Sequence, residues 1–210
     1  MLVGLRIFRQ DLHWFRRVYR RNLPHWHPHH AAVFVTGRLF GSFPRRPAVL
    51  AITEENAEQA FRDLDVHLDR AEFGPTWLAW PPIANILVET IRAAEAERAL
   101  CTLHAFVVMP NHVHVLITPL KPLSAVTKWI KGASARRTNL LLARTGEPFW
   151  QDESFDHWAR NWQQFEKIRK YIWNNPVKAG LVTHPAEWPY SDCPEKAQAE
   201  GLCHEGEMIC

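Results

Sequence analysis

Two histidines separated by a single residue, His112 and His114, lie within the apolar stretch LHAFVVMPNHVHVLITP, residues 103–119. Alternate side chains of a β-strand point to the same face, so a strand here would present both imidazoles side by side. Imidazole is a common ligand of divalent cations. A half-exposed strand could carry such a pair without any metal, so the spacing alone indicates only half of a site.

The residues around this pair predict the hairpin that positions it. Val, Ile, Leu and Phe dominate both arms of the stretch, and Met109-Pro110-Asn111 between them is a turn signal. We therefore expect two strands, with the histidines just after the turn on the second strand.

A second set of polar residues follows on a predicted helix. Apolar residues recur at helical spacing and predict a core-facing stripe: Phe165, Ile168 and Ile172. Tyr171 and Asn175 are four residues apart, so they lie one above the other beside that stripe. If the helix packs near the histidines, Asn175 can supply a third, oxygen ligand to a cation. Lys178 shares this face if the helix continues past Pro176. Periodicity alone also allows Tyr171 to be an ordinary boundary tyrosine.

The order of predicted elements indicates an α+β fold, a small antiparallel sheet with packed helices. Besides the hairpin, we expect strands over residues 31–37 and 154–159 and helices over residues 53–69, 83–99, 123–143 and 162–174. Pro176 is expected to end or kink the last helix.

Length and composition favour one domain with extensions. The chain has 210 residues, a hydrophobic fraction of 47% and a net charge of +3. We assign residues 1–30 to a basic N-terminal arm, residues 31–190 to the catalytic domain and residues 191–210 to a polar, flexible tail. No run approaches the roughly 18 apolar residues that span a bilayer, and no signal peptide is recognisable. We therefore expect a cytoplasmic protein without a membrane partner.

Positive charge is concentrated in two places. The arm carries arginines interleaved with aromatic residues, and the predicted helix over residues 123–143 is also basic. Such groups suit contacts with phosphates and bases of single-stranded nucleic acid, although solvated basic surfaces are the alternative. The candidates for nucleic-acid binding are Arg16, Arg17, Arg20, Arg21, Lys128, Lys131, Arg136, Arg137, Arg160 and Lys178.

The motif MPNHVHVLI, followed by YIWNNPVKAGLV, resembles the HUH-type single-tyrosine transposases, in particular the REP-associated tyrosine transposases. The segments LPHWHP, FWQDESFDHWAR and EWPYS agree with it. The resemblance implies a ferredoxin-like (RRM-like) sandwich and cleavage and joining of single-stranded, hairpin-flanked DNA. It makes His112 and His114 metal ligands, Asn175 the third ligand and Tyr171 the nucleophile.

This resemblance implies a mechanism that uses Mg²⁺ or Mn²⁺. A cation held by two imidazoles and an amide oxygen would polarise the scissile phosphate. Attack by Tyr171 would then give a 5′-phosphotyrosine link and a free 3′-OH. We expect a monomer, with a homodimer as the alternative.

Two other functions compete with this interpretation. One is a non-catalytic nucleic-acid-binding module that stacks bases on sheet aromatics such as Phe34 and Phe106. The other is a metal-dependent nuclease that uses water and leaves no covalent adduct.

Overall fold

The computed structural model describes residue 28 and residues 30–42 and 57–195. Most of the predicted basic arm, including Arg16, Arg17, Arg20 and Arg21, lies outside these residues.

The described chain contains four strands and four long helices in the predicted order. They are β1 (Val33–Arg38), α1 (Ala57–Arg70), α2 (Pro81–Ala96), β2 (Cys101–Val108), β3 (His112–Pro119), α3 (Leu123–Leu141), β4 (Phe155–Trp158) and α4 (Trp162–Lys178). The α+β prediction is confirmed, and the turn between β2 and β3 falls at residues 109–111 as expected. None of the helices in these ranges is long and apolar enough to cross a bilayer.

The strands form one antiparallel sheet in the order β2-β3-β1-β4. This order, with β1 and β3 in the centre, is the ferredoxin-like arrangement that the sequence resemblance implied. The register of β1 against β3 places Thr36 opposite His114 and Arg38 opposite His112. The two histidines therefore lie on a central strand, with a neighbouring strand on each side.

The two faces of the sheet are covered by different helices. Val113, Val115 and Ile117 of β3 belong to a core shared with α2 and α3. Leu116 and Phe34 belong to a second core, which Ile168 and Ile172 of α4 complete. Burial of each such side chain contributes roughly 1.5–3 kcal/mol. Because side chains alternate along β3, His112 and His114 lie on the face that α4 covers.

Helix α4 begins and ends at identifiable signals. The side chain of Asn161 accepts a hydrogen bond from the backbone N–H of Gln164 and so caps the first turn. The helix then runs through Pro176 to Lys178, so the predicted end at residue 174 is too early. Proline removes one N–H donor, and this loss is tolerated here because the helix ends within its next turn. The continuation keeps Lys178 on the helix that carries Tyr171.

The first residues after position 190 are part of the folded domain. Ser191 pairs with Val107 at the outer edge of β2, and the backbone N–H of Val108 donates to the carbonyl of Tyr190 at 2.8 Å. The flexible tail proposed to begin at residue 191 therefore does not include Ser191–Cys193, whose backbone extends the sheet.

Candidate functional site

Strand β3 brings the two imidazole rings together beneath α4. Both His112 and His114 are fully buried, and their Nε2 atoms lie 3.1 Å apart. Two nitrogens bound to one cation at about 2.1 Å, at nearly a right angle, would have a similar separation. The pair is therefore arranged as ligands of a shared cation would be.

Hydrogen bonds to the opposite ring nitrogens orient both histidines. Nδ1 of His112 lies 2.7 Å from the side-chain oxygen of Asn111, and Nδ1 of His114 lies 2.8 Å from the hydroxyl of Thr36. An amide oxygen can only accept, so Nδ1 of His112 carries the proton and its Nε2 keeps a lone pair. Burial, with the nearby charge of His114, lowers the pKa of His112 well below its ordinary value. A neutral ring is the form that binds metal.

Helix α4 places two polar residues against this pair. The ring of Tyr171 lies 5.8 Å from the ring of His114 and 6.1 Å from that of Phe34. Asn175, one turn later, is fully buried, and neither its amide oxygen nor its amide nitrogen has a hydrogen-bond partner. Buried polar atoms without partners are rare in proteins, so this amide is suited to a ligand that comes from outside the chain.

Helix α1 supplies two carboxylates that the sequence analysis did not identify. Asp65 accepts a hydrogen bond from the hydroxyl of Tyr171, and its Oδ1 lies 3.1 Å from Nε2 of His114. Nζ of Lys178 lies 2.8 Å from Asp65 and 2.7 Å from Asp69. The one available sequence signal was the four-residue spacing of the two aspartates, which places them on the same face of a helix.

The pKa values of these groups follow from burial and from one another. Burial opposes ionisation of Asp65, but its contacts with His114, Lys178 and Tyr171 outweigh that effect and lower the pKa of this carboxyl. Burial and the charge of Asp65 raise the pKa of Asp69. The same two causes raise the pKa of the Tyr171 phenol far above its ordinary value. In this arrangement Tyr171 is therefore held in its protonated form.

The donor set fits a divalent cation. The ligand atoms of Asp65, His112 and His114 all lie within 4.8 Å of one another, and the unpartnered amide of Asn175 is buried beside them. Mixed imidazole and oxygen donors suit Mn²⁺, and the oxygen donors also suit Mg²⁺.

Helix α3 lies across the sheet from the histidines, so its cations are far from them. Lys128 and Arg136 are exposed. Lys131 donates to the carbonyls of residues 151–153 at 2.8–3.4 Å, and Arg137 pairs with Glu89. Arg160 is exposed just before α4. Among the described cations proposed for nucleic-acid binding, Lys178 is the one that contacts the site.

Part of the chain is similar in sequence to known transposases. Residues 82–175 match the family model described as "Transposase IS200 like". A REP-associated tyrosine transposase of Escherichia coli (strain K12) is 30% identical over 92 residues, which cover 42% of this chain and 52% of the relative. The match therefore spans about half the length of that protein.

A solved structure shows the same fold. It is described as a REP-associated tyrosine transposase bound to a REP hairpin, and it aligns with a TM-score of 0.58 at 20% identity. The alignment covers 87% of this chain and 88% of that one.

Proposed function

Residues 82–175 match the IS200-like transposase family, and from that match we propose that this chain is a member of the family and cleaves and rejoins single-stranded DNA through Tyr171. The observation that carries the proposal is the position of Tyr171 on α4, with its ring 5.8 Å from that of His114 on β3. A phenol and two oriented imidazoles, from segments far apart in the chain, meet at one buried point.

In the proposed reaction Oη of Tyr171 attacks the phosphorus of a DNA phosphodiester. The new O–P bond forms as the bond to the 3′-oxygen breaks, and the phenol proton is finally carried by the released 3′-OH. The covalent link conserves the energy of the phosphodiester, so attack by another 3′-OH reverses the step and joins DNA.

The residues that would hold the cation are His112, His114 and Asn175; Asp65 lies near them but is already bonded to Tyr171 and Lys178. When bound, a divalent cation would neutralise charge on the attacked phosphate and polarise its phosphorus–oxygen bonds. Asn111 and Thr36 orient the two imidazoles so that both Nε2 atoms face this point, and α4 presents Asn175 and Tyr171 to it. In this proposal His112, His114 and Asn175 bind the cation, Asn111 and Thr36 orient the histidines, and Tyr171 reacts.

The proposed substrate is a single strand next to a DNA hairpin. The relative in the solved structure is bound to a REP hairpin, and this chain shares its fold. The competing base-stacking module has little support, because Phe34 and Phe106 are 1% and 0% exposed and cannot present their rings to bases.

The test uses labelled hairpin oligonucleotides from the flanks of the protein's own gene, incubated with Mn²⁺ or Mg²⁺ and resolved on a denaturing gel. We expect a covalent protein–DNA band with the unaltered protein, and none with Tyr171→Phe. The matched control is Tyr190→Phe, because Tyr190 lies on the edge of β2, outside the site; it should keep the band. Chelator should abolish the band in every sample.

Two outcomes would contradict the proposal. A covalent band that persists in Tyr171→Phe excludes this residue as the nucleophile. Cleavage without a band in the unaltered protein assigns the reaction to water.

A further inference from the structure

Helix α1 lies against the site, and two of its charged residues, Asp65 and Asp69, contact the site directly. It lies before the segment that matches the family, residues 82–175. Asp65 and Leu68 are buried and the side chain of Asp69 is nearly so, whereas Asp63, Val66 and His67 are exposed. Among the side chains of α1 that the structure describes, Leu68 is buried and Leu64 is half-buried, so the two ion-paired carboxylates supply much of the contact with the site. Docking of α1 therefore depends in part on what the carboxylates contact.

Those carboxylates contact the groups that the proposed reaction needs for its substrate. Lys178 donates a hydrogen bond to Asp65 at 2.8 Å and forms an ion pair with Asp69 at 2.7 Å. Tyr171 donates its hydroxyl to Asp65, whose other oxygen lies 3.1 Å from Nε2 of His114. A carboxylate and a phosphodiester share the features that such groups recognise, a negative charge and two acceptor oxygens. The aspartates are therefore chemical counterparts of DNA phosphate.

Resting on the function proposed above, we propose that Lys178 forms a binding seat for a DNA phosphate beside Tyr171, and that α1 occupies this seat in the DNA-free protein. Asp69 takes the place of the phosphate at Lys178, and Asp65 shields Tyr171 and the histidines. DNA must displace α1 before the tyrosine can react, so α1 acts as an anionic lid.

The docked lid is imperfectly satisfied. Two carboxylates, with side chains 2% and 7% exposed, share one lysine, and Oδ1 of Asp69 lacks a hydrogen-bond partner. Excess buried negative charge is costly. When a single phosphate replaces the pair, Lys178 keeps an anionic partner and both aspartates return to water. The unpartnered Asn175, one turn before Lys178, offers an amide to the incoming strand.

The experiment compares two substitutions that remove one charge each from α1. Asp69→Asn weakens the contact with Lys178. Asp63→Asn is the matched control, because Asp63 is exposed and bonded only to Gln59 among the contacts described for it. Binding of a labelled single-stranded hairpin oligonucleotide is measured by fluorescence anisotropy in chelator, so that no metal contributes. We expect Asp69→Asn to tighten binding about tenfold, and Asp63→Asn to change it less than about twofold, as for a distant screened charge.

A double-mutant cycle tests the role of Lys178. In a Lys178→Gln background the lid has lost its partner, so Asp69→Asn should no longer tighten binding. Hydrogen exchange gives an independent readout, since amides of α1 should lose protection when DNA binds. Thermal unfolding of each variant verifies that it is folded.

Three outcomes would contradict the lid. The two α1 substitutions could change DNA affinity equally, Asp69→Asn could weaken DNA binding, or the amides of α1 could become more protected from exchange when DNA binds. These outcomes are distinguishable from failure of the proposed function. If the gel shows a covalent band but the two α1 substitutions change DNA affinity equally, the transposase reaction is supported and the lid is excluded. If Asp69→Asn binds DNA more tightly but no covalent band forms, the phosphate seat and the lid are supported and the proposed reaction is excluded.

Discussion

At the scale of single residues, the site depends on side chains that never touch the substrate. The hydroxyl of Thr36 lies 2.8 Å from Nδ1 of His114. When this hydroxyl accepts a proton from Nδ1, Nε2 keeps the lone pair that binds metal. The sequence could not identify Thr36, because its role depends on the register of β1 against β3. By contrast, the alternation of His112 and His114 and the four-residue spacing of Tyr171 and Asn175 are visible in the sequence itself.

Replacing Thr36 with valine should weaken Mn²⁺ binding by about 10–100-fold, as loss of an outer hydrogen bond to a histidine ligand does. Isothermal titration calorimetry measures the affinity. The matched control is Thr90→Val, which removes an equally buried hydroxyl that bonds within α2; it should leave the affinity unchanged. Unaltered affinity in Thr36→Val would show that this bond does not orient the ligand.

Asp65 and Asp69 show the limit of sequence reasoning at this scale. Their four-residue spacing predicts a shared helix face, but nothing local indicates what that face contacts. Docking of α1 onto the α4 side of the sheet is a tertiary event, determined by long-range packing. The sequence therefore does not reveal that these two aspartates belong to the site, because their position next to the histidines depends on the tertiary fold.

At the scale of elements, the segment after α4 completes the sheet and holds α4 in place. Oδ1 of Asp192 accepts hydrogen bonds from the backbone N–H of Phe106 at 2.8 Å and from Nε1 of Trp173 at 3.0 Å. One carboxylate oxygen thus joins β2 to the helix that carries Tyr171. Burial raises the pKa of Asp192 above its ordinary value, so its ionised form carries a cost at neutral pH.

Substitution of Asp192 separates the hydrogen bonds from the charge. Asp192→Ala leaves two donors without an acceptor and should lower the free energy of unfolding by roughly 1–3 kcal/mol per donor. Asp192→Asn keeps the accepting oxygen and removes the charge, so at pH 7 it should be at least as stable as the unaltered protein. Because the folded pKa is raised, the unaltered protein gains stability relative to Asp192→Asn as pH falls through that pKa.

Urea unfolding in chelator at pH 7 and pH 4 measures these differences. An Asp192→Asn variant as unstable as Asp192→Ala at pH 7 would show that the negative charge itself is needed.

Prediction of the elements succeeded where the signal is local. Alternation and helical periodicity gave the strands and helices in their correct order, since these patterns depend on neighbouring residues. The end of α4 was misplaced at Pro176, because the rule that proline stops a helix is weakest in the last turn. Residues 191–193 look like part of a polar tail in the sequence. They belong to the folded domain because they pair with β2, a long-range contact that local sequence does not indicate.

At the scale of the whole molecule, the sheet separates two functions. The face covered by α2 and α3 is an apolar core. The face covered by α4 and α1 carries the histidines, the tyrosine and the carboxylates. The ferredoxin-like order was predictable from the family resemblance and is confirmed. The division of chemistry between the faces follows from the alternation of side chains along β3. Val113 and Val115 occupy the odd positions and face the apolar core, whereas His112 and His114 occupy the even positions and face the site.

The central claim is that Tyr171 becomes covalently linked to DNA, and the most direct measurement is mass spectrometry of the linked peptide. The chain has three tyrosines, Tyr19, Tyr171 and Tyr190. The protein is incubated with hairpin DNA and Mn²⁺, then digested with nuclease and protease. We expect a nucleotide joined through a 5′-phosphate to the peptide that contains Tyr171. A nucleotide on Tyr19 or Tyr190, or cleaved DNA with free 5′-phosphates and no linked peptide, would contradict the account.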